Sequence, residues 1–164
     1  MIEVQEMAND EIEEVLQSVG YGHFACAHNN QPYVVPINYA YCKPYIYIYT
    51  TDGKKTDIIK ANPQVCLQVE SVTDNGNWRS VVFNGKAEQI TDAKEREEIL
   101  RLILQTNPTL TPAISIRWMD NWVRENREIV YRIKADVVTG RSAVNVETRA
   151  AFAQTGITRK SRVY

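Results

Sequence analysis

No stretch of this 164-residue sequence is apolar for long enough to cross a bilayer, and it opens on "MIEVQEMANDEIEE", acidic where a secretory leader is basic and then apolar. The expectation is a cytoplasmic protein with no membrane partner. Glycine-based signatures are also missing. There is no dinucleotide fingerprint, no phosphate loop of Walker type and no nucleophile elbow. Histidine occurs twice, at His23 and His28. An odd separation puts them on opposite faces of a strand, which argues against a shared metal, and no metal site is expected. The cysteines Cys26, Cys42 and Cys66 are odd in number, and none belongs to a C-x-x-C pair. Each lies in an apolar, strand-like run and is read as a small reduced core residue. Charge of neither sign is in excess, with 19 basic against 20 acidic residues. That excludes a general electrostatic attraction to nucleic acid and leaves only local basic patches to explain.

What is present is the balance of one ordinary domain, 44% hydrophobic and 24% charged. "DEIEEVLQSV" has helical spacing through Ile12, Val15, Leu16 and Val19, with Asp10 and Glu13 as a capping pair and Gly20 to close the end. The period then changes to two over "YGHFACAH", "YVVPINYAYC" and "YIYIYT", three strands in a meander. "GKKTDIIKAN" returns to a short helix, stopped at Asn62 and Pro63. Two more strands follow, "QVCLQVESV" and "WRSVVFNGKAEQI", and Gly85 within the second marks a bulge or barrel corner. "TDAKEREEILRLILQT" is a surface helix capped by Thr91, and "EIVYRIKADVVTG" is the last strand. Trp118 and Trp122, four apart, could share a helical face for packing. The predicted class is mainly β with peripheral helices (α+β), a six-stranded antiparallel barrel. Residues 1–143 form the domain, and residues 144–164 a polar tail that packs on a partner subunit or is disordered.

The segment "YIYIYTTDGKK" places Thr50, Thr51 and two adjacent cations, Lys54 and Lys55, where a strand gives way to a helix. Hydroxyls, the amides of residues 52–55 and two ammonium groups converging there would attract a phosphate. The alternative is a solvated turn whose lysines only keep the surface polar. "WRSVV" adds Arg79, a planar fork suited to an anion and equally suited to a surface ion pair.

At these two segments the chain resembles the pyridoxamine 5′-phosphate oxidase-like flavoproteins of the FMN-binding split-barrel fold. "YTTDGKK" is similar to the element that grips the FMN phosphate there. "RSVVFNGKAE" resembles a later strand that runs from Arg to Gly-x-Ala-Glu, "PYVVPINYAY" the strand along the flavin ring, and "VTGR" the end of the last strand. The resemblance implies FMN as cofactor. It puts Lys54 and Lys55 on the phosphate and Tyr49, Thr50 and Thr51 at the ribityl-phosphate end. Val35, Pro36, Ile37, Asn38 and Tyr39 would lie along the ring, with Arg79, Ser80 and Val81 on the opposite flank. It also implies a homodimer with FMN at the subunit interface, and an oxidoreductase of the flavin reductase or nitroreductase kind. Electrons would pass from NADH or NADPH to a small acceptor, and no catalytic side chain is assigned. A non-catalytic flavin- or haem-binding protein is the alternative. The tail "RAAFAQTGITRKSRVY" has no Trp-Arg motif of the kind the pyridoxal-phosphate-forming oxidases use, so that activity is not implied. The short branch that includes nitroimidazole-resistance proteins is the nearer likeness, although it often has a histidine where this chain has Thr50.

Overall fold

Alternating apolar residues become eight strands, among which three helices are placed, in the computed structural model, which describes residues 2–108 and 128–145. The order is β1 (Ile2–Glu6), α1 (Asn9–Val19), β2 (Tyr21–His28), β3 (Gln31–Asn38), β4 (Ala40–Cys42) and β5 (Tyr45–Thr51). Then come α2 (Lys54–Ala61), β6 (Gln64–Asp74), β7 (Asn77–Gln89), α3 (Ala93–Thr106) and β8 (Glu128–Asn145). All pair antiparallel in one sheet, in the order β3-β2-β6-β7-β8-β5-β4, with β1 added to β8. The two ends of that path, β3 and β4, are consecutive in the chain, so the sheet curls towards a barrel, with no ladder between β3 and β4 among the described residues.

Eight strands replace the expected six for two reasons. The acidic leader is itself a strand: Ile2 to Glu6 pair with Asn145 to Arg141, and so β8 runs on through "RSAVN" past its expected end at Gly140. Second, "YVVPINYAYC" is broken at Tyr39. Its N–H donates to Gly20 O at 3.0 Å, its hydroxyl to Leu16 O at 2.9 Å, and its carbonyl accepts from Asn107 Nδ2 at 3.0 Å. These bonds pull Tyr39 out of the ladder, and β4 resumes at the opposite end of the sheet. The three early strands are therefore two separate hairpins and not a meander, because alternation specifies faces and not partners.

The barrel interior is filled by inward residues of successive strands: Phe24, Ile46, Ile48, Leu67, Val69, Val81, Phe83, Tyr131 and Ile133, all 2% exposed or less. α1 packs Ile12, Val15 and Leu16 into this core, and α2 contributes Ile59. α3 covers the outside of β5 and β8, where Ile99 and Ile103 meet Tyr47 and Val130. Gly20 takes φ 67° and closes α1 as expected. The caps at the other helix starts sit one or two residues from expectation: Glu11 Oε2 accepts from Ala8 N, and Asp92, not Thr91, accepts from Glu95 N. Cys26 is buried in the core, while Cys42 and Cys66 are half-buried, and all three are free thiols. The Trp118–Trp122 pair and the tail beyond Asn145 lie outside the described residues.

Two buried hydroxyls, those of Tyr131 and Ser142, have no hydrogen-bond partner among the described residues, and Tyr131 is 2% exposed. Burial, with Asp52 and Asp57 nearby, pushes the phenol up to about 12. A buried hydroxyl without a partner costs more than it returns, so Tyr131→Phe is expected to raise unfolding free energy by about 1 kcal/mol in a urea titration. A loss of comparable size would mean that the hydroxyl is engaged after all.

Candidate functional site

β4 is only three residues long and pairs with Tyr45, Ile46 and Tyr47 of β5. Beyond it, no strand among the described residues lies between the stretch of β5 from Ile48 to Thr51 and the outer edge of β3. The β3 edge carries Pro32 and Pro36, which lack the N–H that a further ladder would need. Between these edges lies a cavity of about 280 Å³, lined by Pro36, Ile37 and Asn38 of β3, Tyr49 and Thr50 of β5, Tyr21 of β2 and Lys55 of α2.

Lys55 reaches this cavity because β5 passes straight into α2 through Asp52 and Gly53. Its Nζ donates to Thr50 Oγ1 at 2.7 Å, and Thr50 is buried with its side chain on the inner face of β5. Lys55 is itself half-buried. Loss of water holds its ammonium below the usual lysine value of 10.5, an effect partly offset by the Cys26 sulfur. Among the described residues no carboxylate forms an ion pair with it. A partly desolvated cation that meets only a neutral hydroxyl retains most of its capacity for an anion. The cavity lining includes no carboxylate, histidine or thiol among the described residues.

The start of α2 is arranged differently from expectation. Gly53 N–H, one of the amides proposed for a phosphate, already donates to Thr56 Oγ1 at 2.9 Å. Asp52 occupies the helix start, accepting from Thr56 at 2.7 Å and pairing with Lys60 at 3.3 Å. The Thr56 hydrogen bond, with help from Lys60, holds the Asp52 carboxyl below the ordinary carboxylate value. The capacity for an anion therefore lies with the Lys55 and Thr50 side chains more than with the helix terminus.

Of the residues singled out from sequence, Pro36, Ile37, Asn38, Tyr49, Thr50 and Lys55 come together around the cavity. Val35 is half-buried against the core, and Tyr39 is wholly buried. Thr51 ends β5 beside the cavity without lining it, and Lys54 is exposed, its ammonium 4.8 Å from the centroid of the Tyr33 ring. Arg79 donates to Glu14 of α1 at 2.9 Å, Ser80 accepts from Gln68 at 3.1 Å, and Val81 is fully buried. None of these three lines the cavity. Tyr21 does, and periodicity gave no reason to select it, since its place opposite Asn38 follows from β2–β3 register. The histidines do not meet: His23 Nδ1 is 3.0 Å from Gln68 Oε1 on the outer face, and His28 ends β2 exposed. No cluster suited to a metal occurs among the described residues.

Known proteins share this sequence pattern and this fold. The family model described as pyridoxamine 5′-phosphate oxidase matches residues 8–142. The chain belongs to that family. An uncharacterised protein of Rhizobium meliloti (strain 1021) is 28% identical over 144 residues, covering 85% of this chain and 95% of the relative. The crystal structure of a FAD-binding protein from Mesorhizobium loti superposes with a TM-score of 0.73 at 30% identity, covering 88% of this chain and all of that one. A candidate 5-nitroimidazole antibiotic resistance protein from Bacteroides thetaiotaomicron has the same fold, with a TM-score of 0.67 at 20% identity, over 87% of this chain and 89% of its own. The pyridoxamine 5′-phosphate oxidase family is thus matched over nearly every described element, from the residue before α1 to the late part of β8.

Proposed function

We propose that this chain is a flavin-dependent oxidoreductase that holds FMN in the seam between β3 and β5. It takes electrons from NADH or NADPH and passes them to a small acceptor. The observation that carries the proposal is Lys55: a half-buried ammonium, hydrogen-bonded to Thr50 and unpaired with any described carboxylate, in a cavity lined by β3 and β5. The flavin's phosphate rests on Lys55 and Thr50, its ribityl chain passes Tyr49, and its ring follows the β3 backbone from Pro36 to Asn38. The relative named as FAD-binding supports the flavin class. When bound, the flavin supplies the two-electron chemistry that this lining lacks, and the polypeptide anchors it and controls access.

A second copy of the chain completes the proposal. Across five strands the register aligns Val34, Ala25, Cys66, Asn84 and Val137 on the outer face. Val34 is 58% exposed and Val137 56%. A second row joins Val72 and Trp78 to Ala143 and Val4, with Val72 58% exposed and Val4 51%. The two rows are separated on that face by His23, Gln68, Glu70, Ser80 and Arg141, so it presents short apolar stripes with polar residues between them, a mixed surface that a second copy could cover.

Purified protein is expected to show the flavin absorption bands, or to acquire them on adding FMN, and to oxidise NADH or NADPH when an acceptor is supplied. No binding of flavin at micromolar concentration would overturn the proposal. Binding without turnover would leave a flavin carrier in place of an enzyme.

A further inference from the structure

A second cavity, of about 300 Å³, lies beside the break at Tyr39. Its walls are the end of α1 with Gln17 and Ser18, the start of β4 with Tyr41, and the end of α3 with Thr106 and Asn107. Tyr21 and Asn38 line it and also line the seam cavity, so the two adjoin at the end of β3. Asn107 ties the walls together, donating from Nδ2 to Gly20 O at 3.2 Å and to Tyr39 O at 3.0 Å. α1 and α3 both end at this cavity, and neither has a basic residue in its last turn, so the negative ends of two helix dipoles meet with no cation to offset them. No charged side chain is among the described residues that line it. An anion would lose water there and gain no counter-charge. Polar groups remain for other ligands, because among the described residues nothing hydrogen-bonds the side chains of Gln17, Asn38 or Tyr41. Burial, with Glu13 nearby, holds the Tyr41 phenol above its ordinary value, so it stays a donor.

We propose that this cavity binds an uncharged or cationic ring that carries a carboxamide, and rejects the matching carboxylate. A carboxamide brings a donor pair and an acceptor, which the amides of Gln17 and Asn38 and the Tyr41 hydroxyl can each meet. Its N–H groups also suit the carbonyl ends of α1 and α3. The nicotinamide end of NADH or NADPH has this chemistry, since its ring is neutral when reduced and cationic when oxidised. Held here, it lies at Asn38, beside the end of the seam given to the flavin ring. That role rests on the flavin proposal, whereas recognition of the ring rests on the cavity alone.

Nicotinamide and nicotinate differ in charge but hardly in shape, and ligand-observed NMR titration of the full chain with each, at neutral pH and with and without saturating FMN, makes the test. Wild type is expected to bind nicotinamide at least about tenfold more tightly than nicotinate, and FMN should leave nicotinamide affinity within about twofold. Tyr41→Phe is expected to weaken nicotinamide roughly three- to tenfold. Gln17→Lys adds a cation at an exposed helix position outside the seam, and is expected to improve nicotinate affinity roughly threefold to fivefold with FMN affinity unchanged. Equal affinity for the two ligands, or no binding of either, overturns the proposal. So does displacement of nicotinamide by FMN, which would put it in the seam, or a preference that Gln17→Lys leaves as it was. Titration with FMN alone reads the flavin proposal separately: a chain that takes nicotinamide with this preference but no flavin keeps the site and loses its role beside a flavin.

Discussion

Lys55→Ala is expected to weaken flavin binding by about 1.5–3 kcal/mol, the scale of a hydrogen bond to a charged group, or roughly ten- to more than a hundredfold in Kd. The expectation follows from what surrounds the ammonium. Nearby Lys60 has carboxylate partners in Asp52 and Asp57, so its charge is already spent. Lys55 has the Thr50 hydroxyl at 2.7 Å, and its burial raises the strength of any anion contact it makes. Lys43→Ala serves as the control. Its ammonium is paired with Glu13 and is 65% exposed, so removing it alters the overall charge equally and should leave flavin affinity unchanged. A matching loss in both variants would mean that only the general field matters. Isothermal titration of the two proteins with FMN makes the comparison.

The same residue predicts how binding depends on pH. Burial depresses the Lys55 pKa below 10.5, so the free protein begins to lose this charge at lower pH than an ordinary lysine. A bound phosphate favours the ammonium and raises the pKa again. Affinity should therefore fall as pH rises through the depressed value, and the fall should be absent in Lys55→Ala. Stability of the free protein moves the other way. Between the depressed pKa and 10.5 the unfolded chain binds the extra proton, so unfolding free energy gains from this residue as pH rises.

Local chemistry was legible in the sequence wherever one residue type has one physical use. Gly20 closing α1, Asn62 and Pro63 ending α2 and the anomaly at Gly85 all appear where expected. Pro36, Ile37 and Asn38 of β3 were singled out through resemblance to a family, and Thr50 and Lys55 through spacing as well, but Val35, Tyr39 and Lys54, singled out with them, do not line the cavity. Pairing was not legible. Nothing in "IEVQE" tells that it will find Ser142 and its neighbours more than a hundred residues away, and nothing in an unbroken alternation tells that Tyr39 will be drawn out by Gly20, Leu16 and Asn107. Both are long-range contacts whose partners have no local signature. Arg79 shows the converse. Its fork suits an anion, but Glu14, brought alongside by the packing of α1 on β7, reaches it first. Tyr21 joins the cavity only because β2 and β3 are in one register and not its neighbour.

Gly85→Ala tests the seam from the other side, through the ladder that holds β7 to β8. The register of that ladder shifts between Asn84, opposite Val137, and Gly85, opposite Ala135, so Asp136 is the extra residue of a bulge on β8. The bulge brings the two backbones close. A Cβ on residue 85 would lie 2.2 Å from Lys134 O, 3.0 Å from Lys134 C and 3.1 Å from a methyl of Ile133. A flexible side chain could move aside, but a backbone carbonyl within a paired strand cannot do so without opening the ladder. The cost should therefore sit at the upper end of what overpacking produces, about 3 kcal/mol, against a total stability on the order of 5–15 kcal/mol. For a chain of this size that corresponds to a Tm lower by roughly 6–12 °C. The effect reaches the candidate site through β8. Residues Val130 and Ile129 of that strand pair with Tyr49 and Thr50, so an opened β7–β8 ladder loosens the wall that presents Thr50 to Lys55. Flavin affinity should fall along with Tm in Gly85→Ala, whereas in Lys55→Ala affinity should fall with Tm nearly unchanged. A Tm shift of under about 2 °C at Gly85 would mean that the bulge relaxes to admit a methyl group, and the close approach of the two strands would then be no constraint on the site.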